Sequence, residues 1–218
     1  MSGKVTYGAD EAGRGPILGP MVIAVVGVDR SAAISLAKRG VADSKQFGAG
    51  SAARAKRREL AQVVRERAPW FRVRAVEVDE IDHYTYRGQL NVLERKVVLE
   101  LLAELKVDPD ARILCDGANM FAPLRNHYPQ LRAVNDGESA HVSVAAASIL
   151  AKDERDRRFA EIATRYADEF GPVTGGGYLN AATRRFLDAY RERHGELPPE
   201  ARRSWGADKV EDQNLSLF

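Results

Sequence analysis

Residues 20–28, PMVIAVVGV, form a near-continuous apolar run rich in β-branched side chains, and this run limits the possible folds more than any other feature. A strand with one face in water alternates polar and apolar residues. A strand that is apolar throughout must be covered on both faces, as the inner strands of α/β sheets are. Residues 5–10 read as a shorter strand that stops at the glycine turn Gly13-Arg14-Gly15-Pro16, so the two runs form a hairpin in a sheet core. Alternation predicts a strand over 71–78, with Phe71, Val73, Ala75 and Glu77 on one side, and short strands over 113–116 and 131–135. Helices are expected over 51–68, with Leu60, Val63 and Val64 on one face, and over 89–105. In the second, Leu90, Leu93, Val97, Leu101 and Leu105 recur at three- and four-residue spacing before Pro109 closes the segment. A long helix over 141–166 has an Ala/Ser-rich first half, and another covers about 181–194 after Pro172 and the glycines 175–177. Strands and helices interleave, which gives an α/β class with a helical C-terminal part. The polar stretch after Pro198 and Pro199 reads as a loosely tethered tail.

The chain has 218 residues, enough for one large domain or a domain with an appendage, and no internal repeat. With 44% hydrophobic and 29% charged residues it can bury a core and is not intrinsically disordered. Thirty-three Lys and Arg against 31 Asp and Glu leave a formal charge of +2. That excludes a polycation that holds nucleic acid by its long-range field, and equally an acidic tail protein. The single cysteine, Cys115, permits no intrachain disulfide and argues against a Cys/His zinc cage; its apolar neighbour Leu114 places it in the core. The opening residues lack a secretory pattern, and no apolar run reaches the roughly 18 residues of a membrane span. A soluble cytoplasmic protein with no membrane contact is expected.

The chemistry gathers at strand ends. Asp10 and Glu11 are neighbours, and on a regular strand they would point to opposite faces; running into Gly13, the backbone can turn and bring both to one side. Asp116 ends the next apolar strand, before Gly117, and Asn135-Asp136-Gly137-Glu138 ends another. Carboxylates at several strand ends, with only four scattered histidines, suit Mg²⁺ or Mn²⁺, hard cations that prefer oxygen. Two such ions about 4 Å apart could hold the attacking water and leaving oxygen of a phosphodiester displacement. Taken singly, each Asp-Gly or Asn-Gly pair is also an ordinary turn former.

Gly8-Ala9-Asp10-Glu11-Ala12-Gly13-Arg14-Gly15-Pro16, continuing to Gly19-Pro20, resembles the opening signature of ribonuclease HII, the type 2 ribonucleases H. Asp43-Ser44-Lys45, Leu114-Cys115-Asp116-Gly117, the run from Ala145 to Lys152 with Arg155-Asp156, Gly177-Tyr178, and His194 through Arg203-Ser204-Trp205 follow in that family's order. The resemblance covers about residues 5–205 and implies a ribonuclease H-like mixed sheet flanked by helices, with a C-terminal helical region. It implies one catalytic domain over 1–205 and a flexible tail over 206–218. Asp10, Glu11 and Asp116 would be metal-binding carboxylates. Counted back from Ala146-Ala147-Ser148 without a gap, the fourth, usually Asp, falls on Glu138, with Asp136 two residues earlier as the alternative. A Glu there resembles the type 3 enzymes; Arg14 between its glycines and the missing N-terminal extension resemble type 2.

The resemblance further implies that Gly13, Arg14 and Gly15 contact the ribose 2′-OH through backbone, and that Tyr178 stacks under the adjoining deoxyribose at an RNA–DNA junction. Ser44, Lys45 and Lys152 would hold phosphates. The activity implied is endonucleolytic cleavage of the RNA strand of RNA–DNA hybrids, and 5′ of ribonucleotides embedded in duplex DNA. It would use two Mg²⁺ or Mn²⁺ ions, leave 3′-OH and 5′-phosphate ends, and serve replication and repair, with the protein as a monomer. Rivals are a junction resolvase of the same fold, which would not need Arg14 and Tyr178, and a non-catalytic nucleic-acid-binding protein, which would not need the carboxylates. The basic run Arg54, Lys56, Arg57, Arg58 suits a duplex backbone or a solvated helix face. The end of the chain, from Gln213 to Phe218, is similar to peptides that dock on sliding clamps, with Gln213 one place too far from Leu215 for the bacterial form.

Overall fold

The computed structural model describes residues 4–41, 50–135, 137 and 141–206. Their strands are β1 (Thr6–Ala12), β2 (Met21–Val28), β3 (Trp70–Val76), β4 (Arg112–Asp116) and β5 (Arg132–Val134), and they form one sheet in the order β3-β2-β1-β4-β5. β1 runs antiparallel to β2, from Thr6 opposite Val28 to Ala12 opposite Val22. It runs parallel to β4, from Thr6 beside Arg112 to Ala9 beside Cys115, and β4 runs parallel to β5. The hairpin and the mixed sheet are therefore as expected. All eight residues of β2 are buried, the outcome its unbroken apolar composition required.

The described α-helices include α1 (Arg30–Lys38), α2 (Ser51–Arg67), α3 (Val78–Thr85), α4 (Leu90–Glu104), the single turn α5 (Ala118–Phe121), α6 (Val142–Phe170) and α7 (Ala181–His194). Three of them, α1, α3 and α5, were not expected. The carboxylate of Asp29 accepts a 2.8 Å hydrogen bond from the Ala32 N–H and so caps α1. The expected strand over 71–78 ends at Val76 instead, because Val78 opens α3, whose first turn carries Asp79 and Glu80. Acidic residues there favour a helix N-terminus over a continuing strand. The buried stripe of α4 also takes in Val98 and Leu102 beside Leu93, Val97 and Leu101, so it is wider than the spacing suggested.

The described residues fall into two compact units. The first takes in the described residues among 4–12, 22–75 and 91–154; its core joins Val22 and Val26 of β2 with Leu36, Leu60, Val64, Ile149 and Leu150. The Ala/Ser-rich start of α6 is wholly buried there, from Ser143 to Ala151. Gly8 explains the close fit. A Cβ on it would stand 2.3 Å from the Ser143 carbonyl carbon and 2.4 Å from the Val144 nitrogen, so only glycine lets α6 press onto β1.

The second unit takes in residues 13–21, 76–90 and 155–206, with Ile17, Leu18, Ile162, Tyr166, Phe186, Leu187 and Ala201 in its core. Here the tail expected after Pro199 is corrected: residues 200–205 are built into the unit. The Gly19 N–H donates to the Glu200 carbonyl at 2.8 Å, the Arg202 N–H donates to Ile17 at 2.8 Å, and Arg202 is fully buried. Among the described residues no helix is long and apolar enough to cross a membrane.

Candidate active site

In the first unit Asp10 and Asp116 lie toward the C-terminal ends of two parallel strands. Ala9 of β1 lies beside Cys115 of β4, so the next residues in that register set Asp10 beside Asp116 on the same face. Adjacent strands are about 4.8 Å apart, close enough for two carboxylates to share a ligand. Asp10 shares the face of Gly8, the face covered by the start of α6, and is only 5% exposed. The turn expected to bring Asp10 and Glu11 to one side is corrected: β1 keeps its pairing through Ala12, with Glu11 opposite Ile23, so the turn begins after both acids and not between them. The Asp10 Oδ1 accepts from the Glu11 N–H at 2.8 Å.

The gathered charge is legible at Cys115. Burial comes first, then the negative charges of Asp10, Glu11 and Asp116, and together they push its thiol far above the ordinary range. Three carboxylates acting on one buried atom form a strongly electronegative spot. Such a spot is costly unless protons or cations offset it. The donor set is entirely oxygen, which fits a hard divalent cation and not zinc. Among the described residues no three His, Cys, Asp or Glu side chains close around one point as ligands. The two candidates for the remaining ligand, Asp136 and Glu138, lie outside the described residues. Gly137, between them, donates its N–H to the Asp116 Oδ1 at 3.1 Å. Asn135 does turn work: its Oδ1 accepts from the Ala118 N–H at 3.2 Å. Lys152 is half-buried on α6, and Ser44 and Lys45 lie outside the described residues.

The second unit brings together the residues expected to read the sugar. Gly13 has φ +77°, and a Cβ there would stand 3.0 Å from both the Arg155 side chain and the Pro20 carbonyl oxygen. Its glycine requirement is thus internal, set by backbone conformation and by Arg155. Gly15 is exposed, and the Tyr178 ring lies 3.4 Å from where its Cβ would be. The amides of Ile17 and Leu18 donate to the Gly177 carbonyl at 2.9 and 3.1 Å, which ties the Gly13–Gly15 loop to the Tyr178 turn. The Tyr178 ring is 53% exposed, with the Arg155 guanidinium 5.8 Å from its centroid. A large exposed aromatic beside an exposed glycine loop is a surface available to a ligand.

Sequence reasoning gave no role to Arg202, which is fully buried yet donates to the carbonyl oxygens of Gly19 (2.9 Å), Arg14 (2.8 Å) and Gly13 (2.6 Å). Burial, then the charge of Arg155, lowers its pKa to about 10, against opposing effects of Asp82 and Tyr178; it stays charged at neutral pH. Nothing local in the sequence separates Arg202 from Arg203 beside it.

The chain is similar to proteins already known. The family model described as Ribonuclease HII matches residues 7–207. A ribonuclease HII of Thermococcus sibiricus is 33% identical over 216 residues, 95% of this chain and 91% of the relative. The crystal structure of ribonuclease H2 from Pyrococcus horikoshii superposes with a TM-score of 0.81 at 29% identity, covering 97% of this chain and 99% of that one. A ribonuclease HII solved in complex with PCNA, from Archaeoglobus fulgidus, superposes with a TM-score of 0.76 at 28% identity, covering 95% of each chain.

Proposed function

The chain belongs to the ribonuclease HII family, and from that premise we propose that it cuts the RNA strand of RNA–DNA hybrids and nicks duplex DNA 5′ of an embedded ribonucleotide. The observation that carries this reading is the parallel register of β1 and β4, which puts Ala9 beside Cys115, one residue before Asp10 and Asp116, near strand ends where open α/β sheets bind ligands. Asp10, Glu11, Asp116 and Glu138, or Asp136 in its place, hold divalent metal in this reading. Bound there, two Mg²⁺ or Mn²⁺ ions would activate the attacking water and stabilise the leaving 3′ oxygen, giving 3′-OH and 5′-phosphate ends. The Glu11 N–H donates to the Asp10 Oδ1 and so orients that carboxylate.

Gly13, Arg14 and Gly15 read the 2′-OH, and the exposed Tyr178 ring stacks on the neighbouring sugar. Ser44, Lys45 and Lys152 position phosphates as point charges. Residues 1–205 form the catalytic part. The PCNA complex of the Archaeoglobus fulgidus relative supports a sliding clamp as partner, with Gln213 to Phe218, outside the described residues, as the docking peptide. Such a protein works in replication and repair.

The test is a duplex with one ribonucleotide beside an all-DNA duplex of the same sequence, each with Mg²⁺ and with EDTA. A single nick 5′ of the ribonucleotide, abolished by EDTA, is expected. Equal cutting of the all-DNA duplex would favour a nuclease indifferent to the 2′-OH, and EDTA-resistant cutting would remove the metal from the reading.

A further inference from the structure

The second unit contains a fully buried cation whose hydrogen bonds go to backbone carbonyls. Arg202 engages Gly13 and Arg14 through its two terminal nitrogens and Gly19 through Nε, so three loop oxygens converge on one planar fork. Its own position is fixed from behind. The Asp82 carboxylate accepts from the backbone N–H groups of Arg203 (2.9 Å) and Ser204 (3.1 Å) and from the Ser204 hydroxyl. The Trp205 ring lies 5.1 Å from the Arg202 guanidinium carbon. The chain of contacts runs from Asp82 on α3, through the 203–205 turn, to the carbonyls of the Gly13–Gly15 loop.

Peptide geometry turns this anchor into a recognition device. In a trans peptide the C=O of one residue and the N–H of the next point in opposite directions, and no cis peptide occurs among the described residues. Fixing the Gly13 and Arg14 oxygens on Arg202 therefore directs the N–H groups of Arg14 and Gly15 away from it. Arg14 and Gly15 are exposed, and Gly15 adjoins the Tyr178 ring. We propose that Arg202 is a positioning residue for ribose recognition, holding the Arg14 and Gly15 amides in the orientation that meets the sugar of the ribonucleotide. This rests on the reading above, in which that loop contacts the 2′-OH.

The measurement is equilibrium binding of two labelled duplexes, one with a single ribonucleotide and one all-DNA, with Ca²⁺ replacing Mg²⁺ to suppress cleavage. The quantity read is the ratio of the two Kd values, which a general loss of stability leaves unmoved. Arg202→Gln is expected to lower the preference for the ribonucleotide by about tenfold, the scale of losing one well-oriented hydrogen bond, with all-DNA affinity kept. Arg202→Lys, which keeps the charge but not the fork, should fall between. Asp82→Asn, which weakens the support behind the turn, should lower the preference by a smaller factor. A folded Arg202→Gln with wild-type preference overturns the inference, as does an equal loss on both duplexes. Should Arg202→Gln fail to fold, Arg202→Lys and Asp82→Asn decide: reduced preference in both supports the role, and unchanged preference in both ends it. A wild-type protein with no preference would instead strike the proposed function.

Discussion

Replacing Gly8 with alanine adds one methyl group at the contact on which the carboxylate face depends. That carbon would stand 2.3 Å from the Ser143 carbonyl carbon, 2.4 Å from the Val144 nitrogen and 2.6 Å from the Ser143 oxygen. Ordinary contacts are about 3.5 Å or more, so the strand and the helix must part by roughly 1 Å. The colliding atoms are backbone and have no alternative rotamer, and every residue from Ser143 to Ala151 is buried, so the shift spreads along α6. Overpacking costs about 1–3 kcal/mol where side chains can give way; here the upper end, about 3 kcal/mol, is the minimum. At about 2–4 °C per kcal/mol for a chain of this size, Tm should drop by about 6–12 °C. Gly40→Ala is the control. Nothing lies within 4 Å of its Cβ position, but its φ of +84° leaves a backbone cost of about 1–2 kcal/mol. Thermal unfolding followed by circular dichroism would compare the two. A Gly8→Ala protein melting within about 2 °C of wild type, or no lower than Gly40→Ala, refutes the claim that this glycine seats α6 on β1.

Asp10→Asn keeps an oxygen for the Glu11 N–H and removes the charge, so the fold should survive, hybrid binding should persist, and kcat should fall by about a thousandfold or more, near 4 kcal/mol; near-normal single-turnover cleavage would end the metal assignment. Tyr178→Ala removes a half-exposed ring, so Tm should move by less than about 2 °C, while cutting at an RNA–DNA junction falls about tenfold, the scale of one lost stacking contact. Equal kcat/KM with wild type on that substrate would contradict the stacking role. His141 accepts from the Ser143 N–H through Nδ1 at 3.1 Å and so caps α6 in its neutral form. Burial, then the charge of Arg112, lowers its pKa. The unfolded chain therefore takes up this proton first, and the contribution to stability declines as pH falls below about 6.5 until the folded pKa is passed. His141→Asn, with an acceptor but no proton to gain, should flatten that part of a Tm–pH profile relative to wild type, and identical slopes would show that His141 is not responsible.

Local pattern carried much of the fold. The apolar run of β2, the spacing in α4 and the small residues of α6 each announced their burial within a few positions, because a side chain's environment there follows from periodicity alone. α7 was bounded by the Asn180 cap and Gly195 and fell where expected. The expected strand over 71–78 failed at its end for a reason of the same kind: alternation to Val78 competes with the acidic first turn of α3, and the helix wins. α1 escaped although Asp29 signalled it, since a nine-residue helix with only Ala32 and Leu36 buried has almost no periodic stripe to read.

The candidate site divides in the same way. Asp10, Glu11 and Asp116 stand out in the sequence as candidates because a carboxylate at the end of an apolar strand is itself the signal. The parallel register then makes neighbours of two residues 106 positions apart without further information. The support of the recognition loop has no such signature. Arg202 lies 188 positions from Arg14 and resembles, in sequence, any other member of a basic pair before a tryptophan. What distinguishes it is the burial of its side chain and the presence of three carbonyls, and both are products of the finished fold. A buried arginine is tolerated only where its donors are satisfied. Its location therefore marks where backbone carbonyls have been turned inward, and in this chain two of those three carbonyls belong to the loop expected to read the sugar.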